Sequence, residues 1–150
     1  EQWDKTWKNN FASGLNTVRD FLDILKESKG SILFVSSITA MEAFGAPDDY
    51  STAKTAIAAL SKNLARKLAL EVRVNAVAPG NVLFEGSSWD QKVKKNPGHV
   101  YQMINSTVPM ERFCKPEEVA DAIVFLSSER ASFITGSILV IDGGQTVGVF

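Results

Sequence analysis

Tyr50 and Lys54 stand four residues apart at the head of an apolar-periodic run through Ala53, Ile57, Leu60, Leu64 and Leu68. On a helix the pair shares one face, with Cβ atoms roughly 5–6 Å apart. A phenol ordinarily titrates near pH ~10 and is a poor base at neutrality. A cation one turn away favours the phenolate, and a phenol so tuned can give or take a proton near physiological pH. Just upstream, the β-rich run SILFVS ends at Ser36-Ser37. A hydroxyl at the carboxyl end of a strand in an open α/β sheet sits where ligands bind. Adjacent strand residues point to opposite faces, so only one of Ser36 and Ser37 can face a substrate. Alone, Tyr-x-x-x-Lys is more often a helix-surface pair; the weight comes from the residues around it.

Those residues need a scaffold, and the chain supplies one in order. Residues 1–29 carry Trp3, Trp7, Phe11, Leu15, Val18, Phe21, Leu22 and Leu25 at three- and four-residue steps, which predicts one long helix or two. The aromatic stripe is expected to serve core or subunit packing, and Gly30 to stop the helix. Ile32–Val35 is a continuous apolar run, as in a strand covered on both faces. A loop with Gly45 and Pro47 follows, and Asp48 or Asp49 is expected to cap a helix running to about Leu70. Val72–Val77 reads as the next strand, ending in Ala78-Pro79-Gly80.

Residues 81–112 are the least regular, and are expected to form a long connection above the strand ends, a substrate lid. The single histidine, His99, falls there and reads as a surface residue. Residues 115–128 predict a helix with Pro116 in its first turn and Glu117 and Glu118 at its positive dipole end. Ile138–Ile141 predicts a last strand, closed by Asp142-Gly143-Gly144. Apolar strands alternating with helix-period runs are the grammar of a parallel sheet with helices on both faces. No internal repeat or second domain is visible.

At 150 residues and 45% apolar, the chain can bury a real core as one domain. Sixteen basic against seventeen acidic residues, without long runs of either sign, argue against nucleic acid or an anionic membrane as the main partner. The single cysteine, Cys114, excludes an internal disulfide and reads as a loop or packing residue in a reducing compartment. No apolar run approaches the ~18 residues of a membrane span, and no signal-peptide pattern opens these residues. A cytoplasmic protein is the expectation.

Ser37 precedes Tyr50 by 13 positions and Asn10 precedes Ser37 by 27. With NAVAPGNV after the second strand, IDGG after the last and PEEVADAIVFLSSERASFITGSILVIDGG at the carboxyl end, the chain resembles the short-chain dehydrogenase/reductase family from Trp3 to Gly144. The resemblance implies an α/β fold, the carboxyl-terminal part of a doubly wound, Rossmann-type parallel-sheet domain. It implies an NAD(P)-dependent oxidoreductase that interconverts a carbonyl and a hydroxyl group of a small molecule, similar to 3-oxoacyl reductases. Tyr50 would be the acid for reduction and the base for oxidation. Lys54 would lower its pKa and hold the nicotinamide ribose, Ser37 would orient the substrate oxygen, and Asn10, in WDKTWKNNF, would hold the water of a proton relay. Pro79, Gly80 and Val82 would line the nicotinamide pocket. The family also implies a homo-oligomer, here through the helices at 6–28 and 51–70.

Two features depart from that pattern. The family's strand, Gly-rich turn and helix for the pyrophosphate are not found in these 150 residues, so NAD and NADP cannot be told apart. The chain is therefore expected to be a single partial domain, the catalytic and substrate-side part, and by itself to lack dinucleotide binding and reductase activity. Phe84 also stands where the family places a threonine four residues beyond the Pro-Gly glycine. The alternative function is a catalytically inactive fragment or assembly subunit that keeps the packing surfaces alone.

Overall fold

The computed structural model describes residues 1–149. The aromatic amino-terminal run forms α1 (Gln2–Trp7), a wider π-helical segment (Lys8–Ala12) and α2 (Ser13–Glu27). The left-handed residue after α2 is Lys29, not Gly30. At Gly30 a Cβ would meet Leu25 Cδ2 at 2.9 Å, so a larger residue there would displace that side chain. Strand β1 (Ser31–Val35) then leads through a short turn at Ile38–Ala40 to α3 (Asp48–Leu68) and β2 (Arg73–Pro79). After α4 (Ser88–Lys95), α5 (Pro97–Thr107) and α6 (Pro116–Ser127), β3 (Ile138–Ile141) completes the sheet.

All three strands are parallel, in the order β1-β2-β3, with Ile32 opposite Val74 and Ala76 opposite Ile138. The fold class expected from the sequence is the one observed. Ile32, Phe34, Val74 and Ala76 share one face of the sheet and pack with Val18 of α2 and Ile57, Ala65 and Leu68 of α3. Helix α6 lies against β1 and β2 but contributes nothing to that cluster, which puts it on the other face. Arg73 points to that side, and its guanidinium donates to the carbonyls of Leu126, Ser127 and Ser128, closing the carboxyl end of α6.

Three expectations need correction. Neither Asp48 nor Asp49 caps α3; the chain enters the helix at Pro47, and both carboxylates lie in the first turn, where they complement the dipole. The helix also ends at Leu68, leaving Leu70 97% exposed. Residues 81–112 are not an irregular connection but hold α4 and α5. Two of its polar residues are caps: Ser87 Oγ accepts from the Asp90 amide at 3.0 Å, and Asn96 Oδ1 accepts from the His99 amide at 3.2 Å. Two short helices with polar caps give too few apolar repeats to declare a period. They enclose a satellite core of Val100, Ile104, Val108 and Phe113.

Candidate active site

Asn10 sits in the π-helical segment, where the widened turn re-aims side chains; such segments recur at functional sites. Its Nδ2 donates to the Thr6 carbonyl at 3.0 Å, which leaves its Oδ1 for another partner. Thr6 Oγ1 donates to Asp49 Oδ2 at 2.6 Å, tying α1 to the head of α3 across 43 residues. Asp49 is buried, and its other oxygen accepts the Tyr50 amide at 2.9 Å. The first turn of α3, and Tyr50 with it, is thereby fixed relative to the helix that carries Asn10.

At the end of β1 the two serines part, as strand alternation requires. Ser36 Oγ donates to the Lys54 carbonyl at 2.9 Å. Ser37 Oγ accepts from the Thr39 amide at 3.2 Å and from the Thr39 hydroxyl at 3.1 Å, which leaves its own proton free to donate. Lys54 Nζ donates to the Val35 carbonyl at 2.9 Å and lies 5.5 Å from the centroid of the Tyr50 ring. Burial lowers the Lys54 pKa below its ordinary value. No hydrogen bond engages the Tyr50 hydroxyl among the described residues.

These elements wall a cavity of about 1010 Å³. Of the residues expected from the sequence, Asn10, Ser37, Tyr50 and Gly80 border it together. Lys54 lies beneath Tyr50 rather than on the wall, Pro79 is buried at the end of β2, and Val82 pairs with Cys114 beyond the turn. Gly80 has a structural role of its own: its amide donates to the Ile141 carbonyl at 2.9 Å, and a Cβ there would stand 3.0 Å from Asp142 Cα. That close approach favours a glycine whatever the cavity binds. Asp142 in turn holds the turn after β3. Burial raises its carboxyl, but hydrogen bonds from Thr146 and Gly144 outweigh this and bring it below its ordinary value.

The other wall comes largely from residues 81–112, where the sequence predicted a substrate lid without naming its lining residues. It consists of Trp89 and Lys92 of α4 and Met103 and Thr107 of α5, with Phe44 at the side. Trp89 packs on Phe113 at 5.5 Å between ring centroids, and Lys92 Nζ lies 4.2 Å from the Trp89 centroid. The available signal was the three-residue step from Trp89 to Lys92, which shares a face only once α4 is recognised as a helix. No group of residues suited to hold a metal ion occurs among those described, nor does a helix long and apolar enough to cross a membrane.

Comparison with known proteins agrees with this fold. The profile of a family described as enoyl-(acyl carrier protein) reductase matches residues 1–146. Dehydrogenase/reductase SDR family member 4 of Bos taurus is 39% identical over 149 residues, covering 97% of this chain and 51% of that protein. Among solved structures, an oxidoreductase of the short-chain dehydrogenase/reductase family from Burkholderia thailandensis superposes with a TM-score of 0.89 at 33% identity, over 97% of this chain and 57% of that one. A 3-oxoacyl-[acyl-carrier protein] reductase with bound NAD from Brucella melitensis gives 0.85 at 29% identity, over 98% and 53%. The chain spans about half the length of the curated relatives it matches.

Proposed function

The chain belongs to the short-chain dehydrogenase/reductase family, and from that premise we propose that the whole protein interconverts a carbonyl and a hydroxyl group of a small molecule with NAD or NADP. One observation carries this reading: Asn10, Ser37 and Tyr50 border a single cavity, with the Lys54 ammonium beneath the Tyr50 ring. The residues fit the nicotinamide end of such a cofactor. Lys54 uses one N–H on the Val35 carbonyl and retains two donors suited to ribose hydroxyls. Among the described residues there is no strand, Gly-rich turn and helix suited to the pyrophosphate, so no contact to it is derived.

The bound cofactor supplies or accepts the hydride. The protein's part is positioning and the proton. The Tyr50 hydroxyl donates its proton to the carbonyl oxygen in reduction and recovers it in oxidation. The free Ser37 proton makes a second hydrogen bond to that oxygen, where charge develops. The Lys54 cation favours the phenolate while the proton is away. Asn10 Oδ1 holds a water that returns the proton from solvent. Substrates of the 3-oxoacyl class are the first to try, and a cytoplasmic setting, in which Cys114 stays a thiol, completes the picture. Self-association is proposed through the helices at 6–28 and 51–70, where Phe21 and Ile24 remain 56% and 62% exposed.

Incubation of the complete protein with NADH or NADPH and a panel of 3-oxo compounds tests the activity. Carbonyl-dependent loss of the reduced nicotinamide absorbance is expected. Its absence with both cofactors across the panel would overturn the assignment. A monomer by light scattering at high concentration would remove the proposed interface.

A further inference from the structure

The cavity that holds Tyr50 and Ser37 has two charged residues on its lining, Asp49 and Lys92. Asp49 is committed: it is buried, and its oxygens accept the Thr6 hydroxyl and the Tyr50 amide. Lys92 is not. Among the described residues its ammonium has no hydrogen bond and no carboxylate partner, while the neighbouring Lys94 is paired with Asp90 at 2.7 Å. Lys92 is held in place instead by the face of Trp89, 4.2 Å from the ring centroid. Trp89 is itself anchored on Phe113, which Tyr101 meets edge-on at 6.0 Å. A cation resting on an aromatic face keeps all three N–H donors available, and an anion can complete it without breaking an existing pair. A compact ammonium acts as a point charge, suited to a single carboxylate or phosphate oxygen.

Resting on the oxidoreductase activity proposed above, we infer that Lys92 selects substrates that carry an anionic group, a carboxylate or a phosphate, remote from the reacting carbonyl. The carbonyl oxygen lies at Tyr50 and Ser37 on one wall, and the anionic end is drawn to Lys92 on the other. The apolar surface of Ile38, Phe44 and Met103 accommodates the carbon chain between them. The Asp49 oxygens are already engaged by the Thr6 hydroxyl and the Tyr50 amide, so Lys92 is the charged group on the lining that is left without a polar partner among the described residues.

The test uses the complete protein and Lys92→Gln, Lys92→Arg and Lys92→Glu. Two substrate arms separate the anion sources: aliphatic oxo acids of increasing chain length, each with its methyl ester, and a hydroxyketone phosphate with its free hydroxyketone. The wild-type protein should prefer the anionic member of at least one arm. In Lys92→Gln the ratio of kcat/KM for the anionic over the neutral member should fall roughly tenfold to a hundredfold, the usual reach of one charge-assisted hydrogen bond. The change should lie mainly in KM. Lys92→Arg should restore most of the preference, and Lys92→Glu should invert it, which a merely structural lysine would not do. Calorimetric titration of the same ligands gives a second readout that does not depend on turnover. If nothing is reduced but anionic ligands still bind more tightly through Lys92, the oxidoreductase activity fails and the anion site stands. If turnover is found with no anionic preference in either arm, or with a preference that Lys92→Gln leaves intact, the inference is overturned.

Discussion

The two walls of the cavity are built by different means. The wall that carries Asn10, Ser37 and Tyr50 grows out of the sheet and its main core. Its side chains are locked by long-range bonds, Thr6 to Asp49, Ser36 to the Lys54 carbonyl and Lys54 to the Val35 carbonyl. The wall that carries Trp89 and Lys92 belongs to α4 and α5, which pack mainly on each other around a satellite core. Chemistry needs atoms held within fractions of an ångström, and the first wall provides that. Substrate selection tolerates, and often needs, an element that can move or vary independently.

The largest expected effect falls on the first wall. Tyr50→Phe removes one hydroxyl and almost no volume, so kcat/KM of the complete protein should drop about 10²–10⁴-fold while the circular dichroism spectrum stays native. Near-normal turnover would place the proton donor elsewhere. On the second wall, Ile104 is fully buried in the satellite core. Ile104→Ala should cost about 2–5 kcal/mol within that core. Hydrogen exchange should then rise across α4 and α5 and remain slow in α3; uniform acceleration would mean that the two walls are one cooperative unit.

A smaller effect tests the lock between helices. Thr6→Val leaves a buried Asp49 oxygen without its 2.6 Å donor, and should destabilise by about 1–3 kcal/mol in urea titration. Turnover should fall with it, because Tyr50 follows Asp49 directly. The smallest effect lies where the chain leaves the second wall for α6. Glu118 accepts two hydrogen bonds from Arg112 and one from the Lys115 amide, and these hold its carboxyl down at about 2 against an ordinary 4.5. A depressed carboxylate stabilises the fold above the ordinary value, and that contribution is lost as pH falls from 4.5 toward about 2. The wild-type advantage over Glu118→Gln in Tm should therefore be full at neutrality and vanish across that window. The pair is solvent-exposed, so the advantage is modest and should shrink further in salt.

Legibility differed between the walls for a physical reason. The apolar strands and the 3.6-residue period of α3 were readable because their signals repeat over many residues, and the Tyr50–Lys54 step gained its weight from them and from the motifs around it. Helices α4 and α5 have one or two turns of apolar residues apiece, with Ser87 ahead of α4 and Asn96-Pro97 where α5 begins, so the stretch read as irregular. Asn75 shows the same limit inside a strand. In the sequence it is one polar residue of VRVNAV, but it is fully buried, with its amide nitrogen on the Ile134 carbonyl and its amide oxygen on the Ser137 amide.

By itself, then, the sequence determined the parallel α/β architecture and the family, because hydrophobic period and short motifs are properties of neighbouring residues. The tertiary structure decided what faces what. It turned Ser37 toward the cavity and Ser36 onto the Lys54 carbonyl, and brought Asn10, Tyr50 and Lys92 to the same cavity. Asn10, Tyr50 and Lys92 lie about forty positions apart in turn, and only the packing of helices on the sheet brings such residues to one cavity.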